Sequence, residues 1–235
     1  RRLAGERGEQ IANAITFSQK NSWSFVARTF LFDEFIKQHV EQGYDMIINL
    51  AAGLDTRPYR MNLPASLKWI EVDLPEMISY KETILADEKS NCELEKIQLD
   101  LSNRKARLEL FKRLGDTSNK ALIVAEGLIG YLDNEEAGTL AKDLSGQKSF
   151  KHWVFDMMSP GLLAMAQKEM GSFLKEANAP LKFAPEEGEG FFLQYGWKNL
   201  ESKSKLKTAA ILNRLSDEMM VYAAYPEPEG PKGSF

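Results

Sequence analysis

One stretch of the sequence constrains the fold more than any other: an apolar run that leads into a glycine turn carrying an acid. Residues 47–50 are Ile-Ile-Asn-Leu, Gly53 and Asp55 follow, and Asp73 comes twenty residues after Gly53. In open α/β sheets the first strand-to-helix turn lets the backbone approach a nucleotide-like ligand, and an acid after the second strand binds ribose hydroxyls. The stretch therefore predicts a parallel sheet with a nucleotide-type cofactor at its carboxyl edge.

Short apolar runs alternate with helix-length segments as far as residue 157. The pattern predicts helices at 24–42, from Pro75 to about Asp87, at 103–114 and from a cap at Asn134, and strands at 46–50, 68–72, 94–99, 121–125 and 152–157. This alternation is typical of βαβ units, so we expect an α/β fold with a Rossmann-like, doubly wound, mostly parallel sheet. Four acids would then lie at carboxyl ends of strands: Asp55, Asp73, Asp100 and Glu126.

The C-terminal third has a different pattern. Residues 161–190 combine an alanine- and methionine-rich segment with a loop rich in Pro, Gly and Glu, which is typical of a lid that selects substrate. Beyond it we predict a strand at 197–203, a short helix at 206–214 and a last strand at 217–225. With 235 residues and 43% hydrophobic content, we interpret 1–235 as one domain with a lid.

Composition argues against several classes of function. The net charge is −4 and charges of both signs are interspersed, so a nucleic-acid partner is not expected. Two histidines and one cysteine do not suffice for a usual zinc site, and a single cysteine forms no internal disulfide. The sequence has no run of eighteen apolar residues and no charged-then-apolar leader, so we expect a soluble, cytoplasmic protein without a membrane partner.

The glycine turn also has a purely structural interpretation, because any strand-to-helix crossover suits a glycine such as Gly53. The third glycine of the dinucleotide fingerprint is absent, and Arg57 and Pro58 stand in its neighbourhood. A diphosphate ligand is therefore disfavoured, since that glycine lets the helix pack close to a pyrophosphate.

The acids differ in how readily a structural role explains them. Asp73 is suited equally to bind ribose and to cap the following helix, and Asp100 taken alone is better explained as a cap. Glu126 is harder to explain, because a carboxylate that directly follows a buried strand needs a cationic or donor partner.

Several motifs, taken in order, closely resemble the leucine carboxyl methyltransferase family, and most closely its bacterial branch. The motifs are Ala27-Arg28-Thr29, residues 49–60 (Asn-Leu-Ala-Ala-Gly-Leu-Asp-Thr-Arg-Pro-Tyr-Arg), residues 71–76 (Glu-Val-Asp-Leu-Pro-Glu) and residues 125–132 (Ala-Glu-Gly-Leu-Ile-Gly-Tyr-Leu), with a weaker echo at Gly196-Trp197. The family consists of class I methyltransferases that use S-adenosylmethionine (SAM). The resemblance covers about residues 24–160 and implies that fold, that cofactor and methyl transfer.

The resemblance also implies roles for individual residues. Arg28 would pair with the carboxylate of SAM, the Gly53 turn with Asp55 would line its methionyl part, Asp73 would hold the ribose hydroxyls, Asp100 and Leu101 would flank the adenine, Glu126 would lie beside the amino group or the transfer site, and Tyr131 would be near the pocket wall. Ala51 and Leu74 complete the predicted cofactor-binding set. Ala51 stands where many members have glycine, a departure that is tolerated if the position has negative φ.

Arg28 is otherwise an arginine on a mostly apolar helix, where it would extend to solvent and form a structural salt bridge. A planar guanidinium suits bidentate binding of a carboxylate, which SAM has and NAD lacks. Arg28 therefore favours SAM as the cofactor.

The scarcity of histidine indicates the kind of acceptor. A carboxylate is already ionised at pH 7 and needs no general base, whereas a hydroxyl would need one. His152 at the start of a strand is badly placed for this role, and His39 is expected at the surface of a helix. We therefore expect O-methylation of a carboxylate, on a small molecule or a peptide, and assign no catalytic residue.

Two other functions remain open. A nicotinamide-dependent oxidoreductase is favoured by Asp73, whereas the missing third glycine and Arg28 count against it. A non-catalytic module that binds SAM and pairs with another protein would keep the same cofactor residues.

Overall fold

The computed structural model describes residues 2–6, 8–9, 22–176 and 179–225. The chain forms two compact units, and both are assembled from separate stretches of sequence. The sheet unit comprises Arg1–Ile11, Asp33–Leu128 and Asp143–Phe155, and the second unit comprises Ala12–Phe32, Ile129–Lys142 and Asp156–Phe235. The single domain predicted from sequence stays a prediction.

The sheet unit contains five parallel strands in the order β3-β2-β1-β4-β5, as the alternating pattern predicted. The strands are β1 Met46–Leu50, β2 Lys68–Asp73, β3 Glu93–Gln98, β4 Ala121–Ala125 and β5 Phe150–Phe155. The chain order reverses between β1 and β4, and ligands of such sheets bind beyond the carboxyl ends of the strands at this switch point.

Burial explains which strands the sequence predicted well. All residues of β1 and β4 are buried, as expected for central strands covered on both faces. Their bounds match the predictions at 46–50 and 121–125. The strand predicted at 152–157 begins two residues earlier, at Phe150, and its pairing with β4 shifts register between Ala121 and Leu122.

The helices in the first 145 residues follow the predicted order. They are α1 Ser22–Glu41, α2 Arg57–Arg60, α3 Pro75–Ile84, α4 Arg104–Thr117 and α5 Asn134–Ser145. The chain after α1 turns at Gly43, which has φ +80°. The cap predicted at Asn134 is wrong by one residue: Asp133 accepts the backbone N–H of Glu136 and donates its own to the Glu136 carboxylate, which is a capping box.

The second unit is helical where the sequence predicted strands. It contains α6 Pro160–Glu176, α7 Lys205–Ile211 and α8 Asp217–Ala224, with 3-10 turns at Ile129–Tyr131 and Gly188–Tyr195. The strand predicted at 197–203 is wrong, because these residues are irregular, and the strand at 217–225 is wrong, because α8 occupies it. Ser216 caps α8 by accepting the N–H of Met219. Among the helices described here, none has the length and apolarity to cross a bilayer.

Candidate cofactor site

Asp73 fastens the glycine turn to the end of β2. Its Oδ2 accepts the backbone N–H of Gly53 at 2.6 Å, and its Oδ1 accepts that of Leu74 at 2.7 Å. The first position of α3 carries no side-chain cap, so the alternative that Asp73 caps this helix is wrong. A carboxylate has about four acceptor positions, which leaves Asp73 capacity for further donors such as hydroxyls.

Ala51 departs from the expectation made for it. Its φ is +52°, in the left-handed region, so the condition under which alanine would be tolerated here is not met. An L-residue in this region costs about 1–2 kcal/mol, because its Cβ crowds the backbone. Gly53, two residues later, also has positive φ, at +49°, so the turn carries two left-handed residues.

Arg57, to which the sequence analysis assigned no role, lies at the centre of a cluster of acids. Its side chain is 3% exposed and binds Asp33 through Nε at 2.7 Å, Asp55 through Nη1 at 3.2 Å and Glu126 through the same Nη1 at 2.8 Å. The expectation that Glu126 needs a cationic partner is therefore confirmed. Asp55 is fixed further by the amide of Asn49, which donates to its Oδ2 at 2.7 Å.

Ion pairing shifts the pKa of Arg57 and the pKa of Asp33. Burial alone would lower the pKa of Arg57, but the charges of Asp55 and Glu126 and the hydrogen bond to Asp33 raise it above its ordinary value. Burial would likewise raise the pKa of Asp33, yet hydrogen bonds from Arg60 and Arg57 lower it. The guanidiniums of Arg57 and Arg60 thus bind three carboxylates in this cluster, those of Asp33, Asp55 and Glu126.

Asp100 and Leu101 form a turn after β3. Asp100 is exposed, and hydrogen bonds from Ser102 lower its pKa. The cap of α4 is Asn103, which accepts the N–H of Ala106, so the interpretation of Asp100 as that cap is wrong. The Leu101 carbonyl accepts a hydrogen bond from Nη1 of Arg107 at 2.7 Å, which ties this turn to α4.

Arg28 and Tyr131 belong to the second unit. Arg28 donates from Nη1 to Asp156 at 3.3 Å, and its guanidinium lies 5.5 Å from the centre of the Phe25 ring. Asp156 also lies 3.8 Å from the Nζ of Lys205. The structural salt bridge considered for Arg28 is thus present, and its cofactor role stays a prediction. Tyr131 ends a 3-10 turn and is 39% exposed.

A buried ion pair lies on β2, two residues before Asp73. Lys81 donates to Oε1 of Glu71 at 2.7 Å, and both side chains are fully buried. Burial raises the pKa of Glu71 to about 7, although the charge of Lys81 opposes this. Burial, followed by the charge of Glu71, raises the pKa of the buried Cys92 thiol to about 11.

Both histidines lie away from the acids, at the amino ends of the strands. His39 is 8% exposed, so its expected surface position is wrong. Its ring packs 4.9 Å from Tyr44 and 4.8 Å from His152, and Tyr44 contacts Nδ1 of His152 through its hydroxyl. Tyr44 precedes β1 and His152 is near the start of β5. Within the described ranges, no group of three or more His, Cys, Asp or Glu residues could hold a metal ion.

Comparison with known proteins identifies the family. The family model described as leucine carboxyl methyltransferase matches residues 3–145. The chain belongs to this family. It is therefore one of the SAM-dependent methyltransferases, as the ordered motifs indicated.

Two bacterial proteins show how similar the chain is to its relatives. A protein of Frankia alni described as a candidate SAM-dependent methyltransferase is 30% identical over 207 residues, which cover 80% of this chain and 68% of that protein. A protein of Mycolicibacterium paratuberculosis with the same description is 37% identical over 114 residues, 48% of this chain and 36% of its own length. The chain thus spans between about a third and two thirds of these relatives.

A solved structure supports the fold. An O-methyltransferase family protein from Burkholderia thailandensis superposes with a TM-score of 0.51 and 16% identity, covering 83% of this chain and 56% of that one. The similarity extends over most of the chain, in agreement with a class I methyltransferase sheet.

Sequence analysis missed some residues of the site, above all Arg57 and Asp33. One feature of the sequence indicated Arg57: several acids at the ends of neighbouring strands require cations nearby.

Proposed function

We propose that this family member transfers the methyl group of SAM to a carboxylate oxygen of a small molecule or a peptide. The observation that carries the proposal is the bond between Asp73 and the Gly53 N–H, because it sets an acid with spare acceptor capacity beside a left-handed turn. This is the arrangement expected where the backbone approaches a ligand and an acid receives ribose hydroxyls.

The acids around Arg57 support binding of a cationic cofactor. SAM carries an ammonium and a sulfonium, so Asp55 and Glu126 complement it better than they would complement a diphosphate. We assign the ribose to Asp73, the amino group to Glu126 and Asp55, and the carboxylate to Arg28. The remaining assignments are the adenine to Asp100 and Leu101, the lining of the turn to Ala51 and Leu74, and the neighbourhood of the transfer site to Tyr131.

Alignment is the main contribution this site would make to the reaction. Bound SAM supplies a methyl group that passes in line to a carboxylate oxygen, while the electron pair of the broken S–C bond stays on sulfur. The residues of the chain need only hold the two reactants in line and exclude water, and such orientation supplies about 7–11 kcal/mol in favourable intramolecular models. No proton moves, which agrees with the position of both histidines at the opposite edge of the sheet.

Residues 161–190 are our proposed lid and substrate-selecting segment. Contacts near the end of the segment anchor it: the backbone N–H groups of Lys182 and Phe183 donate to the Gly130 carbonyl at 2.8 and 3.2 Å, and Phe183 is fully buried. A lid with this anchor should become more protected when the cofactor analogue binds. Limited proteolysis with and without S-adenosylhomocysteine (SAH) tests this, and equal cleavage within 161–190 in both samples would contradict it.

The first test of the function is calorimetric titration of the purified chain with SAH, with NAD titrated under identical conditions. We expect selective, micromolar binding of SAH. Binding of NAD alone would favour the oxidoreductase alternative, and a folded chain that binds neither would contradict the proposed site. A chain that binds SAH but methylates no carboxylate in a screen of small acids and peptides would fit the non-catalytic module.

The Arg28→Ala substitution tests the assignment of the cofactor carboxylate. Loss of a charge-assisted pair should weaken SAH binding by about 1.5–3 kcal/mol. Lys205→Ala is the matched control, because Lys205 also lies beside Asp156. Unchanged SAH affinity in Arg28→Ala would show that Arg28 does not bind the cofactor and has only a structural role, in its salt bridge with Asp156.

A further inference from the structure

We propose that Arg57 is a positioning residue that holds the carboxylates of Asp55 and Glu126 together to receive the cofactor's amino group. The inference rests on the proposed function, and it adds a residue that touches the acids rather than the ligand. Its basis is a shared atom: one nitrogen, Nη1 of Arg57, binds Asp55 at 3.2 Å and Glu126 at 2.8 Å.

The two acids come from different strands. Asp55 follows β1 and Glu126 follows β4, the pair of strands between which the sheet reverses its order. Arg57 therefore spans the switch point, where ligands of this fold class bind. Its backbone N–H also donates to Oδ1 of Asp55 at 2.8 Å, so backbone and side chain fix the same carboxylate.

Burial makes this bridge matter. The side chains of Arg57, Asp55 and Glu126 are 3%, 8% and 16% exposed, so water screens their charges poorly. Two carboxylates brought together at such a site repel each other, and the repulsion favours turning one of them away. A guanidinium between them offsets that repulsion and holds both carboxylates at the same place.

Only an arginine can make this set of bonds. Nε of Arg57 binds Asp33 at 2.7 Å while Nη1 binds the other two acids, so the planar fork serves three carboxylates at once. A lysine ammonium is a single point charge on a flexible chain and lacks this fixed geometry. The Arg57→Lys substitution thus keeps the charge and removes the positioning.

The test compares two ligands on Arg57→Lys. SAH carries the amino group, whereas 5′-methylthioadenosine has the same nucleoside and thioether without the amino acid part. We expect SAH affinity to fall about tenfold or more, as for one lost charge-assisted hydrogen bond, and 5′-methylthioadenosine affinity to stay within about twofold. Equal loss of both ligands would overturn the proposal, because Arg57 would then support the turn as a whole.

Arg60→Lys is the matched control. Arg60 binds Asp33 at 2.6 and 2.8 Å but has no bond to Asp55 or Glu126 among those described, so SAH affinity should stay unchanged. Thermal unfolding of both variants establishes that they fold. A wild-type chain that binds 5′-methylthioadenosine and SAH equally would overturn this inference while leaving the nucleoside site intact, and one that binds neither would reject the proposed function itself.

A double-mutant cycle keeps the inference falsifiable if Arg57→Lys is unstable at higher temperature. Glu126→Gln removes the acid through which Arg57 is argued to act. If the action runs through Glu126, adding Arg57→Lys to Glu126→Gln should lower SAH affinity by clearly less than it does in the wild type. Full additivity of the two effects would contradict the proposal.

Discussion

The two ends of the sheet use aspartate in opposite ways. At the amino end, Asp45 accepts the backbone N–H groups of Asn119 and Lys120 and the Asn119 side-chain amide, so its acceptor capacity is largely used within the fold. At the carboxyl end, Asp73 accepts two backbone N–H groups and keeps capacity for more. The same residue type therefore bonds mainly within the fold at one end and keeps acceptor capacity at the other.

Charge and strain follow the same division. The carboxyl end holds the buried acids around Arg57 and the left-handed Ala51. The amino end holds the rings of His39, Tyr44 and His152, which pack against one another. Strained backbone persists only where the surrounding structure enforces it, and strain and buried charged groups cluster at functional sites.

The largest expected effect on stability concerns the buried ion pair of Lys81 and Glu71, which lies between the two ends of the sheet. Lys81→Met leaves Glu71 buried without its ion partner, and removing one member of a buried pair costs about 3–5 kcal/mol. We expect the midpoint of urea unfolding at pH 8 to fall accordingly. Lys112→Met, which removes an exposed pair with Asp116, should change stability by less than about 0.5 kcal/mol. Equal losses of stability in the two variants would show that the buried pair of Lys81 and Glu71 contributes no more than an exposed pair.

The next largest effect separates the ends directly. Asp73→Asn should weaken SAH binding about tenfold to a hundredfold, because hydrogen bonds to a charged acceptor contribute about 1.5–3 kcal/mol. Asp45→Asn should lower the melting temperature and leave SAH affinity unchanged. Calorimetry and thermal unfolding of both variants give the comparison. If Asp45→Asn weakened SAH binding as much as Asp73→Asn, the functional division between the ends would be wrong.

A smaller effect concerns strain. Ala51→Gly should stabilise the chain by about 0.5–1 kcal/mol, because glycine adopts positive φ without a Cβ clash but loses more entropy on folding. Asn213, the other described non-glycine residue with positive φ, gives the control. Asparagine tolerates this region, so Asn213→Gly should change stability by only about a few tenths of a kcal/mol. A loss of stability in Ala51→Gly would show that the methyl group packs usefully.

The smallest effect is a pH dependence of the amino end. Burial, with the charge of His39, lowers the pKa of His152 in the folded chain. The unfolded chain then binds more protons below about pH 6.5, so this contribution to stability is complete above that pH and is lost as the pH falls. We expect the urea midpoint to drop less between pH 7.5 and 5.5 in His152→Gln than in the wild type. An identical drop in both would assign the acid sensitivity to other groups.

Sequence predicted the sheet well because its central strands are continuous buried runs bounded by turns. β1 and β4 were predicted to the residue, and the need of Glu126 for a cation was inferred from its position after β4. The last segment failed because Met219 to Val221 read as an apolar strand, whereas the cap at Ser216 and the first-turn acids start α8, in which no residue is buried. In this segment helix capping therefore outweighed the β propensity of the apolar residues.

Sequence could predict the acids of the candidate site but not the bonds between them. The acids were found because each of them stands at or just after the end of a predicted strand. The bonds of Arg57 to Asp33 and Glu126 join residues far apart in the sequence, and no local pattern encodes them. The left-handed φ of Ala51 was likewise hidden, because alanine gives no indication of a positive φ.

The burial of Cys92 has a practical consequence for following ligand arrival. The sequence has this one thiol, and burial keeps it largely protonated at neutral pH, where a protonated thiol is a poor nucleophile. A cysteine introduced at Leu54, which is 41% exposed in the glycine turn, would therefore take up a maleimide fluorophore selectively. Such a labelled chain would report cofactor binding by a change of emission at the turn, without any need to know the methyl acceptor.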